Sequence, residues 1–164
     1  MIKEPYSYND IGDIVLLNFC KARKKQDELM IRIIIADDHE TIRSALSKFI
    51  NNQLGMIVVG EAKNGAEAID LIDENRPDIL ILDIEMPVMD GVAVAQKLKG
   101  QNGVPRIIIV SNHSDRYYVE GLMDLGVCGY VIKDDAMTHL PAAIRQVQNG
   151  RERWLSPSIQ QYAL

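Results

Sequence analysis

The stretch ILILDIEMPVMDG, residues 79–91, starts with four consecutive apolar residues and then places a carboxylate at Asp83. A short run rich in isoleucine and leucine is typical of a strand buried in a parallel sheet. An ionised carboxylate taken out of water is unfavourable unless a cation or hydrogen-bond donors compensate it. The stretch therefore predicts that Asp83 lies either at an exposed strand end or beside a partner that another part of the chain supplies.

Four similar runs occur elsewhere in the chain, so the sequence predicts five buried strands. The segments between these strands have apolar residues at helical spacing. This alternation predicts an α/β fold: a flavodoxin-like, doubly wound, five-stranded parallel sheet in the order 2-1-3-4-5, with helices on both faces. The predicted strands are IRIIIA (31–36), MIVVGE (56–61), DILILD (78–83), PRIIIVS (105–111) and CGYVIK (128–133). The predicted helices lie in TIRSALSKFI (41–50), GAEAIDLIDEN (65–75), GVAVAQKLK (91–99), RYYVEGLMDLG (116–126) and AMTHLPAAIRQVQNG (136–150).

Polar side chains stand where four of these strands end. The first strand is followed by Asp37 and Asp38, the third ends at Asp83, the fourth at Ser111 and the fifth at Lys133. Open α/β sheets bind ligands beyond the carboxyl ends of their strands, where these side chains would converge. Three carboxylates that lie close together repel one another, and their oxygens suit Mg²⁺. The sequence therefore predicts a magnesium site, which also supplies the partner of Asp83.

Four motifs resemble, in order and separation, the receiver domain of two-component response regulators: IIIADDHE, LDIEMPVMDG, IIIVSNH and GYVIKD. The resemblance covers the receiver domain that we expect over residues 30–150. It implies that Asp83 is the phosphoacceptor, that Asp38 ligates Mg²⁺ directly, and that Asp37 does so chiefly through water. It also implies that the backbone carbonyl of Glu85 completes the protein ligands.

The same resemblance assigns roles at the ends of the fourth and fifth strands. It implies that Lys133 ion-pairs with the phosphoryl group, that Ser111 hydrogen-bonds it, and that Tyr130 is the switch aromatic that moves with Ser111 on activation. Tyr130 also fits a simple core position, because a buried tyrosine beside Gly129 packs well. The resemblance further implies a sensor histidine kinase as the partner, and signalling in place of enzymatic turnover.

Two rival functions and one plainer interpretation remain open. A Mg²⁺-dependent aspartyl phosphohydrolase would use Glu85, two residues after the nucleophile, as its general acid. A degenerate receiver that only binds partners would lack a complete set of acid, serine and lysine, whereas this chain has one. Asp37 and Asp38 alone would also fit the N-cap of a following helix.

We expect the histidines to lie on the surface without a metal role: His39, His113 and His139.

Composition limits the partners. The 164 residues carry a formal net charge of −5, which gives no basic surface for nucleic acid or anionic lipid. Cys20 and Cys128 are far apart and form no metal-binding motif, which suits a reducing compartment. No run approaches the roughly 18 to 20 apolar residues of a membrane span. We therefore expect a cytoplasmic protein that does not itself bind nucleic acid or membrane.

The two ends of the chain lead to separate expectations. Residues 1–29 form an extension, possibly helical, whose apolar residues recur at helical spacing over residues 11–22. It is either a weakly docked helix or a contact for a partner or a homodimer. Residues 151–164 resemble the start of the linker that precedes a LuxR-type helix-turn-helix domain. The expectation is either a DNA-binding output domain missing from this chain or a single-domain receiver acting through a protein partner.

Overall fold

The computed structural model describes residues 30–160, so the predicted extension over residues 1–29 and the last four residues of the tail lie outside the described residues. The strands are β1 (Ile31–Ala36), β2 (Met56–Ala62), β3 (Ile79–Leu82), β4 (Arg106–Ser111), β5 (Gly129–Ile132) and β6 (Trp154–Leu155). The helices are α1 (Glu40–Asn51), α2 (Gly65–Asn75), α3 (Gly91–Leu98), α4 (Arg116–Asp124), α5 (Ala136–Gln148) and α6 (Pro157–Gln160). A 3₁₀ turn over Lys133–Asp135 joins β5 to α5.

The strands form one parallel sheet in the order β2-β1-β3-β4-β5-β6. The predicted α/β class and the order 2-1-3-4-5 are confirmed, but the predicted count of five strands was wrong. The sixth strand has only two residues, Trp154 and Leu155, which pair with Gly129 and Tyr130. Two residues cannot show a period, so the sequence pattern could not reveal this strand.

Alternate residues of the strands pack into two separate cores, one on each face of the sheet, because successive side chains of a strand point to opposite faces. On β1, Ile33 and Ile35 face a core that α1 and α5 cover, whereas Ile34 and Ala36 face a core that α2, α3 and α4 cover. All four of these β1 residues are fully buried. The prediction of helices on both faces is therefore confirmed, and it explains why the strands are apolar on both sides.

The segment after α5 extends the sheet by one short strand beside β5. The Trp154 amide donates to the Cys128 carbonyl at 2.9 Å, and the Ser156 amide donates to the Tyr130 carbonyl at 2.9 Å. Trp154 is buried in the core beneath α1 and α5, and Ile159 is buried in the opposite core. Residues 154–160 thus add both backbone hydrogen bonds and buried apolar surface to the sheet.

Because every strand runs in the same direction, their carboxyl ends meet at one edge of the sheet. The Asp83 amide extends the ladder by donating to the Ala36 carbonyl at 2.8 Å, which places Asp37 and Asp83 just beyond adjacent strands. None of the helices in residues 30–160 is long and apolar enough to cross a membrane.

Candidate functional site

Lys133 joins two buried carboxylates at the carboxyl edge of the sheet. Its Nζ lies 2.8 Å from Asp83 Oδ2 and 2.9 Å from Asp37 Oδ2. Asp83 is only 4% exposed and Asp37 only 2%. The predicted buried strand therefore ends in an acid that is shielded from water and paired with an ammonium group, the partner that the burial of Asp83 requires.

Burial and charge pairing have opposing effects on the pKa values of Asp83 and Lys133. It raises the pKa of Asp83 above the ordinary value of 3.8; contact with Lys133 opposes that shift, and the charge of Asp37 reinforces it. Burial lowers the pKa of Lys133, but the carboxylates of Asp83 and Asp37 outweigh it, and that pKa is raised overall. Lys133 therefore stays protonated, whereas the buried environment of Asp83 disfavours its ionised form.

Asp38 completes the acidic group from the solvent side. Its side chain is 32% exposed, in contrast to its buried neighbour Asp37. Ligand atoms of Asp37, Asp38, His39 and Asp83 all lie within 4.8 Å of one another. The carboxylate oxygens are the hard ligands that Mg²⁺ prefers, so the residues present fit that ion. The structure thus brings together the three predicted acidic ligands.

The loop from β3 to α3 holds Asp83 through close backbone packing. The Ile84 amide donates to Asp83 Oδ1 at 2.8 Å, and the Gly91 amide donates to the Ile84 carbonyl at 2.8 Å. A Cβ atom on Gly91 would collide with the Asp83 carbonyl oxygen, so only glycine permits this approach. Asp90 caps α3 by accepting from the Ala93 amide, which fixes the far end of the loop.

A model of the response regulator receiver domain matches residues 33–145 of the chain, a range that contains all of the residues above. The chain belongs to the response regulator receiver family. It is 37% identical over 130 residues to the uncharacterized transcriptional regulatory protein YvfU of Bacillus subtilis (strain 168). That match covers 79% of this chain and 64% of YvfU, so the receiver chain spans about three fifths of this relative.

Solved structures agree with this assignment. A two-component response regulator of the LuxR family from Aurantimonas sp. SI85-9A1 is similar with a TM-score of 0.75 and 31% identity, covering 81% of this chain and 94% of that one. The isolated receiver domain of RcsB from Salmonella enterica serovar Typhimurium, solved with the phosphomimetic BeF₃⁻, has a TM-score of 0.74 and 26% identity. That match covers 81% of this chain and 98% of the RcsB domain. This chain is thus a two-component receiver domain related to transcriptional regulators.

In this receiver domain, Ser111 and Tyr130 lie where the sequence placed them, at the end of β4 and on β5. Both are buried, and the Tyr130 hydroxyl donates to the His113 carbonyl at 2.9 Å. Burial raises the pKa of Tyr130 to about 12, although a hydrogen bond with Ser111 opposes the shift. The Ser111 hydroxyl oxygen also accepts from the His113 amide at 3.2 Å. Ser111, Tyr130 and the His113 backbone therefore form one connected group.

The Glu85 side chain lies outside the buried triad. It is 75% exposed, and its Oε1 is 3.0 Å from Nε2 of His113, whose ring packs against that of Tyr118 at 5.3 Å between centroids. The loop after β3 and the loop after β4 are thus tied together at the surface. The sequence predicts a surface histidine here but gives no sign of this contact, because no local pattern relates residues 28 positions apart.

Two more residues of the site were missed. The Arg43 Nη1 donates to the Asp37 carbonyl at 2.6 Å, and its Nε lies 3.6 Å from Glu61 Oε2, so α1 and β2 jointly fix the backbone of Asp37. An arginine one turn into a helix gives no local signal of such a contact. His39 lies on the surface as predicted, but nothing in the sequence indicates that its ring nitrogen would lie 2.8 Å from Asp38 Oδ1.

Proposed function

We propose that Asp83 accepts a phosphoryl group from a sensor histidine kinase in a Mg²⁺-dependent reaction, and that the resulting change controls an output. The observation that carries this proposal is the pairing of Lys133 with two buried carboxylates at the carboxyl edge of the sheet. The named relative is a transcriptional regulatory protein of which this chain matches about three fifths. We infer that the output is transcription, through a DNA-binding segment in the part of such relatives that this chain does not match.

The proposed step is a nucleophilic displacement at phosphorus. A carboxylate oxygen of Asp83 forms a P–O bond, the P–N bond to the histidine of the kinase breaks, and its electron pair returns to the imidazole. Asp37, Asp38, Asp83 and the backbone carbonyl of Glu85 would hold Mg²⁺, which neutralises charge on the transferred group. Signalling requires one such transfer and not repeated turnover.

Lys133 and Ser111 would stabilise the phosphoryl group on Asp83 by contacting its oxygens. The Lys133 ammonium already lies against Asp83 and carries a raised pKa, so it remains charged and can pair with a phosphoryl oxygen. The Ser111 hydroxyl can donate a hydrogen bond to another of these oxygens. Neither residue needs to change its protonation state, which suits groups that stabilise a charge and do not transfer protons.

A conformational change would follow from the group that Ser111, Tyr130 and the His113 backbone form. If the Ser111 hydroxyl turns towards a phosphoryl oxygen, its contacts with Tyr130 and the His113 amide must change. The buried Tyr130 hydroxyl, which now donates to the His113 carbonyl, would then be released to a second position. This supplies the two-state element that a signal requires.

The switch can be tested separately from phosphorylation. We expect Ser111→Ala to leave Asp83 phosphorylatable while it removes the phosphate-induced NMR shifts on α4, β5 and α5. Ser114→Ala is a suitable control, because Ser114 lies three residues after Ser111, in the loop that follows β4, and is exposed. Unchanged shifts in Ser111→Ala would contradict the role of Ser111 as a switch residue.

The phosphoacceptor assignment is tested with acetyl phosphate and Mg²⁺, followed by mass spectrometry and borohydride trapping of the modified residue. We expect one base-labile phosphate on Asp83 and none in Asp83→Asn. Asp90→Asn is a matched control, since it removes one charge near the site and leaves an equally good helix cap. BeF₃⁻ should bind the unmodified chain and Asp90→Asn, but not Asp83→Asn.

Three outcomes would overturn this proposal. Phosphate on any residue other than Asp83, or equal labelling of Asp83→Asn, would remove the assigned nucleophile. Sustained hydrolysis of phosphomonoesters would favour the aspartyl phosphohydrolase, in which Glu85 acts as general acid. The exposed position of Glu85 and its contact with His113 give that rival no support.

A further inference from the structure

Asp37 is held at both of its backbone polar groups. Its amide donates to the Ala62 carbonyl at 3.1 Å, which extends the pairing of β1 with β2. Its carbonyl oxygen accepts from Arg43 Nη1 on α1 at 2.6 Å. A hydrogen bond with a charged donor is stronger than one between neutral groups. The turn between β1 and α1 is therefore fixed by the sheet on one side of Asp37 and by a side chain on the other.

The guanidinium group of Arg43 is itself held in place. Its side chain is 16% exposed, and its Nε lies 3.6 Å from Oε2 of Glu61, the residue before Ala62 on β2. The Arg43 amide donates to the His39 carbonyl at 3.0 Å in the first turn of α1. The planar guanidinium can serve two acceptors in one fixed geometry, whereas the ammonium group of a lysine cannot. Arg43 therefore joins α1 and β2 to the backbone of Asp37.

The bond to the Asp37 carbonyl also sets the direction of Asp38. A peptide group is planar, so the contact that fixes the Asp37 carbonyl also fixes the amide and Cα of Asp38. The Asp38 carboxylate, 32% exposed, contacts the His39 ring, which is itself 62% exposed. Exposed contacts of this kind are weak, because water screens them. The hydrogen bond from Arg43 is therefore the stronger restraint on where the Asp38 carboxylate points.

We infer that Arg43 is a positioning residue of the phosphorylation site. It orients the Asp37–Asp38 peptide so that the Asp38 carboxylate reaches Mg²⁺, and Glu61 holds the guanidinium group in place. The inference rests on the proposed function, in which Asp38 is a ligand of the ion. Arg43 would touch neither the ion nor the phosphoryl group, because it acts through the backbone of Asp37. Its loss should therefore weaken Mg²⁺ binding and leave the transfer step unaltered once the ion is bound.

Arg32 provides a matched control at the opposite end of β1. Its Nη2 donates to the Asn75 carbonyl at 2.9 Å, which is the same kind of contact between an arginine and a backbone carbonyl. The Arg32 amide donates to Asp78 Oδ2 at 2.8 Å, and a side-chain variant keeps that bond. Arg32→Gln and Arg43→Gln therefore remove equivalent hydrogen bonds, of which only the second lies beside the acidic group.

The test measures the Mg²⁺ affinity of the full chain by isothermal titration calorimetry, and then labelling by acetyl phosphate at saturating Mg²⁺. We expect Arg43→Gln to weaken Mg²⁺ binding by about tenfold, as is usual for groups that orient a metal ligand, and Arg32→Gln by less than about twofold. At saturating Mg²⁺, both variants should be labelled on Asp83 at a rate within about twofold of that of the unmodified chain. Without metal, the NMR order parameters of the Asp37 and Asp38 amides should fall in Arg43→Gln but not in Arg32→Gln.

Two milder variants test the same contacts if Arg43→Gln does not fold. Arg43→Lys keeps the charge but loses the planar guanidinium, and Glu61→Gln keeps Arg43 but removes the ion pair that holds it. Each should weaken Mg²⁺ binding more than Arg32→Gln does and less than is expected for Arg43→Gln. Unchanged Mg²⁺ affinity in both milder variants would contradict the inference.

The possible failures are distinguishable. If the unmodified chain binds Mg²⁺ and is labelled on Asp83, and Arg43→Gln binds the ion equally well, Arg43 has no positioning role and the proposed function stands. Equal weakening in Arg43→Gln and Arg32→Gln would also overturn the inference, because it would show general destabilisation. So would labelling of Arg43→Gln that stays slow at saturating Mg²⁺, because it would show a direct role in the transfer. If the unmodified chain neither binds Mg²⁺ nor is labelled, the proposed function and this inference both fail.

Discussion

The acidic triad consists of Asp37, Asp83 and Lys133, and the C-terminal edge of the sheet consists of residues 154–160. The two regions differ in the kind of group that they bury. The triad buries two like-charged carboxylates beside one ammonium group, and burial raises the pKa of Asp83. The C-terminal edge buries Trp154 and Ile159, and the buried Ser156 has hydrogen-bond partners at both its amide and its hydroxyl. We therefore expect the triad to lower the stability of the fold and the C-terminal edge to raise it.

The largest expected effect is at the C-terminal edge. We expect Trp154→Ala to lower the free energy of unfolding by about 3 kcal/mol, because it removes a large aromatic side chain that is 6% exposed. Labelling of Asp83 by acetyl phosphate should persist in the folded fraction. Urea unfolding followed by circular dichroism measures the loss, and Tyr117→Ala, at a tyrosine that is 83% exposed, should change stability by less than about 0.5 kcal/mol. A similar result for both variants would show that the edge does not stabilise the sheet.

The triad should respond with the opposite sign. We expect Asp83→Asn to raise the free energy of unfolding at neutral pH by an amount on the order of 1 kcal/mol, because the amide removes a charge that the site disfavours. A raised carboxyl pKa means that protonation of Asp83 favours the folded state. The advantage of the variant should therefore shrink as the pH falls through that raised pKa towards 3.8.

Urea titrations of both proteins without metal at several pH values between neutral and mildly acidic measure this effect. The control is Asp90→Asn, for which the pH dependence should match that of the unmodified chain. A destabilised Asp83→Asn would mean that the contact with Lys133 outweighs burial, and the contrast between the triad and the edge would be lost.

A smaller effect is expected in the loop that follows Asp83. Val88 has a φ of 68° and is 87% exposed, so a β-branched side chain occupies the left-handed region without packing in return. Val88→Asn should raise stability by about 1 kcal/mol, because asparagine tolerates this conformation. Leu54→Asn is the control, since Leu54 is 92% exposed but has no positive φ. An equal gain in both variants would show that replacing an exposed apolar side chain, and not relieving the backbone at Val88, causes the effect.

The smallest effect should come from the exposed contact between Glu85 and His113. We expect Glu85→Gln to change the free energy of unfolding by less than about 0.5 kcal/mol, because exposed pairs of this kind are screened by water. NMR chemical shifts of the His113 ring should nevertheless change, which reports the lost contact independently of stability. A loss above about 1 kcal/mol would show that this surface contact holds the two loops as firmly as the buried groups do.

Elements of the fold that arise from a local pattern could be predicted from the sequence. The five longer strands and the helices between them follow from β-branched runs and helical spacing, each read within about ten residues. The acids after β1 and β3 could be placed at one edge, because parallel strands end on the same side. Prediction from the sequence failed at Trp154 and Leu155, which are too few to form a pattern, and at Arg43, whose contact with the Asp37 carbonyl depends on how α1 packs.

Short-range patterns in the chain are enough to predict the order of strands and helices and the polar residues at the carboxyl ends of the strands. Which of those residues lose water depends on packing: Asp37 and Asp83 are buried, whereas Asp38 remains partly exposed. Packing also placed the Lys133 ammonium against a carboxylate 50 positions away and turned the His39 ring to the acidic group. Period and residue type are properties of a short segment, but burial and charge pairing depend on distances that only the packed chain establishes.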